Sequence, residues 1–189
     1  MTLHDGNGWV ECRCGQRHWG RHGAAGLLLA RSVAGRARHG RDGRPGATPD
    51  TPVFVEPEAA VEVLLQLRAG WTHQGGRWAL PGGARDSHED VVAAALREAR
   101  EETGVVEADL FVVGQHPGVD HVDWSYTYVL ALARRPVTPT ARTEESDDLR
   151  WLELGAVESL PLLPAFGSVW PALRVTLINA LGTRRSTTP

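Results

Sequence analysis

Apolar residues follow two rhythms along the 189-residue chain. Short runs predict buried strands: AAGLLLAR (24–31), VEVLLQLRA (61–69), DLFVVGQH (109–116) and LRWLEL (149–154). WSYTYVLALA (124–133) is another, with Trp124, Tyr126 and Tyr128 alternating along it. Helical spacing appears twice. Val92, Leu96 and Ala99 recur at i, i+4 and i+7, Asp86 and Glu89 have capping-box spacing ahead of them, and Gly104 is placed to close the helix. A terminal helix is expected over roughly Trp170–Leu181, with Leu173, Leu177 and Leu181 in one stripe and Pro171 in its first turn. A short extended piece is expected at 78–80, inside the glycine-punctuated loop 70–83. This irregular alternation of strands and helices points to an α/β sandwich with a mixed sheet.

The organisation expected is one domain over 24–181, preceded by an N-terminal extension (1–23) and followed by a disordered tail (182–189). Residues 35–58 read as a flexible insertion, rich in Gly and Pro and carrying Arg36, Arg38, Arg41 and Arg44. No apolar run approaches a membrane span, and the first 20 residues lack the charge and apolar pattern of a secretion signal, so a cytoplasmic, non-membrane protein is expected.

A net charge of −3 gives no pull toward a nucleic-acid polymer. All 20 basic residues are arginine, which coding bias explains and which excludes lysine-nucleophile and Schiff-base chemistry. Cys12, Cys14, His18 and His22 form C-x-C-x3-H-x3-H. The ligand types suit zinc, but the gap between the thiols is tighter than common zinc spacings, and a reduced N-terminal turn is the simpler expectation.

The chemistry concentrates in GARDSHEDVVAAALREAREETGV (83–105). Glu98, Glu101 and Glu102 are spaced i, i+3, i+4, so a helix puts them on one face, close to a C-terminus that already carries partial negative charge. A hard divalent cation among the carboxylates would relieve that repulsion. The alternative is a solvated acidic face held by Arg97 and Arg100. An ion pair between Glu89 and Arg97, eight residues apart, would fix the loop against the helix and hold Arg97 clear of the metal.

This stretch resembles the Nudix hydrolase box, G-x5-E-x7-R-E-U-x-E-E-x-G-U, where U is bulky and apolar. Gly83, Glu89, Arg97, Glu98, Glu101, Glu102, Gly104 and Val105 fill it, with Ala99 smaller than usual at the first U. Leu80–Gly83 (LPGG) fits as well. The resemblance implies a Nudix-type α/β/α sandwich and Mg²⁺- or Mn²⁺-dependent cleavage of a nucleoside diphosphate linked to another group. It casts Glu98, Glu101, Glu102 and the Gly83 carbonyl as metal ligands, with Glu145 as a further one and Glu144 as its substitute. Glu98, Arg97 and Glu101 become the catalytic candidates, and Gly83, Glu89 and Gly104 the structural residues of the box.

Beyond the box, WGRHGAAGLLL, WTHQGGRWALPGGARDSHE, WSYTYVLA and LPLLPAFGSVWPALR are similar to actinobacterial MutT-like proteins. That implies a nucleoside di- or triphosphate substrate, foremost an oxidised purine nucleotide such as 8-oxo-dGTP. Pro117 and Tyr126 lie twelve and twenty-one residues past Val105 and fit the ADP-ribose and dinucleoside polyphosphate markers poorly. Those substrates, a non-nucleotide diphosphate, and a non-catalytic nucleotide sensor stay as alternatives. Trp71, Trp78, Trp124 and Tyr126 are candidates for stacking on a base, although tryptophans of a small domain are first of all core residues. His73, His88 and His121 could approach phosphate. Many relatives in the family pair as homodimers, a point that no feature of this chain decides.

Overall fold

The computed structural model describes residues 4–33 and 61–185. The segment expected as an insertion, 35–58, and the end of the expected tail, 186–189, lie outside the described residues. β1 (Trp9–Glu11) and β2 (Arg17–Trp19) form an antiparallel hairpin. The main sheet is built from β3 (Ala24–Ser32), β4 (Val61–Arg68), β5 (Trp78–Ala79), β6 (Gly82–Ala84), β7 (Leu110–His121), β8 (Trp124–Ala133) and β9 (Ser146–Glu153). The α-helices among the described residues are α1 (Val91–Thr103) and α2 (Pro164–Arg185).

The strand path is β5-β4-β3-β8-β7, with β6 on β3 and β9 on β4; β3 and β8 run parallel while every other pair is antiparallel. The sheet is therefore mixed. Alternation along β3 sends Leu28 and Ala30 to one face, where they join Phe166, Trp170, Leu173 and Leu177 of α2. Ala25, Leu27 and Leu29 face the other way, onto Ala94, Ala95 and Ala99 of α1. Helices on both faces make the α/β/α sandwich.

Two helix boundaries differ from expectation. The N-cap of α1 is Asp90, not Asp86: its carboxylate accepts the Val92 and Ala93 N–H groups at 2.9 and 2.8 Å. Asp86 is buried and holds the N-terminal segment, accepting the Gly6 N–H at 2.7 Å. Residues 86–89 form a turn of their own, closed by the Asp86 N–H donating to Glu89 at 2.9 Å. Gly104 does end α1, at φ 74°, donating its N–H to the Arg100 carbonyl. Helix α2 begins at Pro164, six residues before the expected start, and Pro171 lies inside it. Burial of Phe166 and Trp170 in the core offsets the backbone hydrogen bond that Pro171 cannot make. The helix also runs to Arg185, into the segment expected as a tail.

The splay between β3 and β4 places the site. Among the described residues the two strands pair over Ala30–Ser32 and Val61–Val63. Beyond that β3 takes β6, matching Ala25 with Gly83 and Gly26 with Gly82, while β4 takes β5. The Pro81–Gly83 turn sits in the opening, and the Leu27 N–H donates to the Pro81 carbonyl at 2.9 Å.

Candidate active site and metal centre

The last two turns of α1 lie against that turn. Glu102 accepts the Gly82 N–H at 2.9 Å and is 5% exposed. Glu98 approaches Gly83 so closely that a Cβ there would fall 2.6 Å from its carboxyl carbon, so glycine is needed for the contact. The buried Glu102 excludes a fully solvated acidic face, and Arg100 is exposed.

Arg97 behaves partly as expected. Its guanidinium pairs with both oxygens of Glu89, at 2.6 and 3.1 Å, and donates to the Ala84 carbonyl at 2.8 Å, tying the approach loop to the helix. It is not held clear of the other acids, however. Its Nη1 reaches Glu98 at 2.9 Å and Glu101 at 3.4 Å, because a guanidinium has donors left after engaging Glu89. The hydrogen bonds to Glu89 and the neighbouring carboxylates hold the Arg97 pKa above its ordinary value.

Glu102 has no such partner. Burial foremost, then the charge of Glu98, pushes its carboxyl up to about 8, with the Gly82 N–H, Gln66 and Arg68 acting the other way. Glu98 is raised too, by burial against the opposing pull of Arg97. The residues thus fit a divalent cation: a buried carboxylate in no ion pair among the described residues, a second acid beside the same turn, and backbone in close reach. The three carboxylates do not converge as one preformed cage. The described groups whose ligand atoms all lie within 4.8 Å of one another are Cys12–Cys14–His18 and Asp5–Asp86–His88. Glu101 points outward, its side chain 39% exposed.

Gln66 is a residue the sequence reading missed. It is fully buried on β4, donates to the Ser146 hydroxyl, touches Glu102, and leaves its Oε1 without a partner. A lone amide inside the apolar run VEVLLQLR is the signal that could have found it. Glu145, the expected further ligand, is exposed beside Ser146 at the start of β9, and its carbonyl accepts the Ala69 N–H at 2.8 Å. Glu144 is exposed as well.

The four aromatic candidates separate. Trp78 is 5% exposed within the α2-side core, with Arg150 over its ring, so it is a core residue and offers no open face for a base. Trp71 is 70% exposed in the 70–77 loop. Trp124 has His18 stacked on it at 4.4 Å and donates its indole N–H to the Trp19 carbonyl. Tyr126 lies with its hydroxyl against Gly26, close enough to Glu102 and Glu98 for their charge, added to burial, to raise its pKa. His73 packs on Trp9 and His121 on His18, while His88 is exposed. An open groove of about 610 Å³ beside Glu107, Leu110, Phe111 and Arg134 contains none of the site residues.

Comparison with known proteins now bears on this geometry. A family model described as the NUDIX domain matches residues 48–171. The Mycobacterium tuberculosis protein named "Putative 8-oxo-dGTP diphosphatase 3" is 43% identical over 175 residues, covering 90% of this chain and 70% of its own length. The chain belongs to the Nudix family. This Nudix protein is accordingly a hydrolase acting on phosphorus-containing anhydrides, a class that generally needs a divalent metal ion. Among solved structures, the Nudix hydrolase RenU of M. smegmatis is similar, with a TM-score of 0.72 and 41% identity over 90% of this chain and 94% of that one. The Ap4A hydrolase of C. elegans shares the fold, with a TM-score of 0.59 and 22% identity over 82% and 98% of the two chains. A Bifidobacterium longum pyrophosphatase/Nudix fusion protein is 36% identical over 176 residues, 91% of this chain but 32% of that longer one. No helix among the described residues is long and apolar enough to cross a membrane.

Proposed function

We propose that this Nudix hydrolase is a MutT-like nucleotide-sanitising enzyme that cleaves oxidised purine nucleoside triphosphates such as 8-oxo-dGTP to the monophosphate and pyrophosphate. The observation that carries the chemical half is the buried carboxyl of Glu102 against the Gly82–Gly83 turn, in no ion pair among the described residues. The substrate half is supported by the name of the 43%-identical mycobacterial relative.

Glu98, Glu101, Glu102 and the Gly83 carbonyl are the proposed holders of Mg²⁺ or Mn²⁺, with Glu145 joining from the start of β9. When bound there, the cation supplies Lewis-acid activation of phosphate oxygens and of water. Glu98, its pKa raised by burial, takes the proton of the attacking water. Arg97 positions Glu98 and Glu101 and, through Glu89, fixes the loop that presents the Gly82–Gly83 backbone. Trp71 and Tyr126 are the stacking residues proposed for the base, with the Trp124 ring 6.3 Å from that of Tyr126. Trp78 has no part in this.

The test is a substrate panel with Mg²⁺ and Mn²⁺: 8-oxo-dGTP, dGTP, ADP-ribose, a dinucleoside tetraphosphate and a sugar diphosphate, with products identified by ion chromatography. The reading requires a kcat/KM for 8-oxo-dGTP about tenfold or more above that for dGTP, the discrimination that about 1.4 kcal/mol provides. Faster turnover of ADP-ribose, or equal rates on oxidised and normal nucleotides, would overturn the substrate assignment and leave the hydrolase.

A further inference from the structure

The N-terminal hairpin carries chemistry that hydrolysis does not use. Its connection runs from Cys12 to Gln16, with the Cys12 N–H donating to the Gln16 carbonyl at 3.1 Å and the Gly15 N–H to the Cys12 carbonyl at 2.9 Å. This turn folds Cys14 back over the hairpin, onto His18 of β2, with Cys14 Sγ at 3.1 Å from His18 Nε2. Cys12 lies on the inner side, and its Sγ accepts the Cys14 N–H at 3.5 Å. Both cysteines are free.

We propose that Cys12, Cys14 and His18 form a zinc site that locks this hairpin. Their ligand atoms all lie within 4.8 Å of one another. Tetrahedral zinc, with bonds of about 2.3 Å to sulfur and about 2.0–2.1 Å to nitrogen, needs S···S and S···N separations of roughly 3.6–3.8 Å, so shifts of about 1 Å close the site. The tight C-x-C spacing, which argued against zinc in the sequence, is accommodated because the turn brings both sulfurs to one side. His22 is not part of the site; it faces Asp5 at 3.9 Å. Two thiolates and a neutral imidazole make a neutral complex with Zn²⁺, and forming it from two thiols releases two protons. A fourth position remains for water or for a side chain of the β7–β8 tip.

The surroundings orient these ligands. The His18 ring is stacked on Trp124 at 4.4 Å and on His121 at 4.8 Å. Arg13, between the two cysteines, is paired with both oxygens of Asp123. These contacts fix His18 and the Cys12–Cys14 backbone before any ion arrives, the role of outer-sphere partners in metal sites. They also tie the hairpin to the β7–β8 tip, two residues from Tyr126. Zinc there is structural, distinct from the hard-ligand carboxylate centre on α1.

The experiment uses the whole chain, purified under reducing conditions without chelator, beside Cys14→Ser, His18→Gln and Glu102→Gln. Zinc content is measured, and Co²⁺ is titrated into the metal-free proteins while the thiolate-to-cobalt charge-transfer absorption is followed. About one zinc per chain is expected in wild type and in Glu102→Gln, with the sulfur band present in both. Cys14 is exposed, so its replacement leaves the fold intact by circular dichroism while weakening zinc binding by about a hundredfold or more, beyond the loss typical of an outer-sphere partner. Absence of the charge-transfer band in wild type with both thiols reduced would overturn the proposal. Undiminished zinc in both Cys14→Ser and His18→Gln would do the same, as would zinc lost only in Glu102→Gln.

Discussion

Replacing Glu102 by Gln removes one charge and almost no volume, so it isolates the electrostatic strain stored at the end of α1. The folded carboxyl has a pKa of about 8, against the ordinary 4.5. A raised pKa means that the metal-free fold binds the proton more tightly than the unfolded chain does. The stabilisation from this proton is complete below pH 4.5 and is lost as pH climbs towards 8. Integrating the linkage relation between those values, carrying Glu102 costs the metal-free protein about 1 kcal/mol at pH 5 and about 3 kcal/mol at pH 7. The substituted amide avoids that cost, can still accept the Gly82 N–H, and brings a donor towards the orphaned Gln66 Oε1. For a domain of this size about 3 kcal/mol corresponds to a Tm some 6–12 °C higher at pH 7, an upper figure that shrinks towards pH 5. The assay is differential scanning calorimetry with chelator present, from pH 5 to 8. Excess Mn²⁺ at pH 7.5 should then raise the wild-type Tm and not that of the variant, while turnover of the variant falls by about a hundredfold or more. A variant less stable than wild type at pH 7 without metal, or a stability gap that does not change with pH, would refute the reasoning.

Other outcomes follow from the same contacts. Asp90→Ala should lower stability by about 1 kcal/mol, the worth of an N-cap, and calorimetry should place its Tm about 2–4 °C down. Gly83→Ala, whose Cβ meets the Glu98 carboxylate, should lower kcat by about tenfold or more while Tm changes little, because it displaces the group proposed to take the proton of the attacking water. Trp78→Ala should cost about 3–5 kcal/mol in chemical denaturation as a core truncation. Trp71→Ala, at an exposed position, should leave stability unchanged and raise KM for the nucleotide, with loss of about 1–3 kcal/mol of stacking.

Strands β3, β4, β7, β8 and β9 were legible because each contains a run of apolar residues between turn signals, and WSYTYVLALA and β8 coincide; β6, Gly82–Ala84, falls in the loop expected over 70–83 and is a strand only through its pairing with β3. Other features depend on contacts that no local pattern encodes. Asp86 and Asp90 both stand before the apolar run with a cap's chemistry, and only the distant Gly6 N–H decides which of them is engaged elsewhere. The start of α2 is hidden because Pro171 suits the first turn of a helix and so marks a beginning too late, while the packing of Phe166 and Trp170 carries the helix back to Pro164. The first hairpin has strands of three residues with no apolar alternation, and its order comes from Arg13, His18 and Trp19 docking on Asp123 and Trp124. At the site, spacing alone put three glutamates on one face. It could not foretell that Arg97 would take two of them and leave Glu102 buried against Gly82.

The central claim is that this buried acid, Glu98 and the Gly82–Gly83 turn together hold the divalent ion. Anomalous diffraction from a crystal of the protein soaked in Mn²⁺ tests it most directly. The account predicts a manganese peak within ligand distance of Glu98, Glu102 and the Gly83 carbonyl, with Nη1 of Arg97 withdrawn from Glu98. Manganese bound elsewhere in a crystal that still hydrolyses nucleotide, with Arg97 unmoved on Glu98 and Glu101, would contradict it.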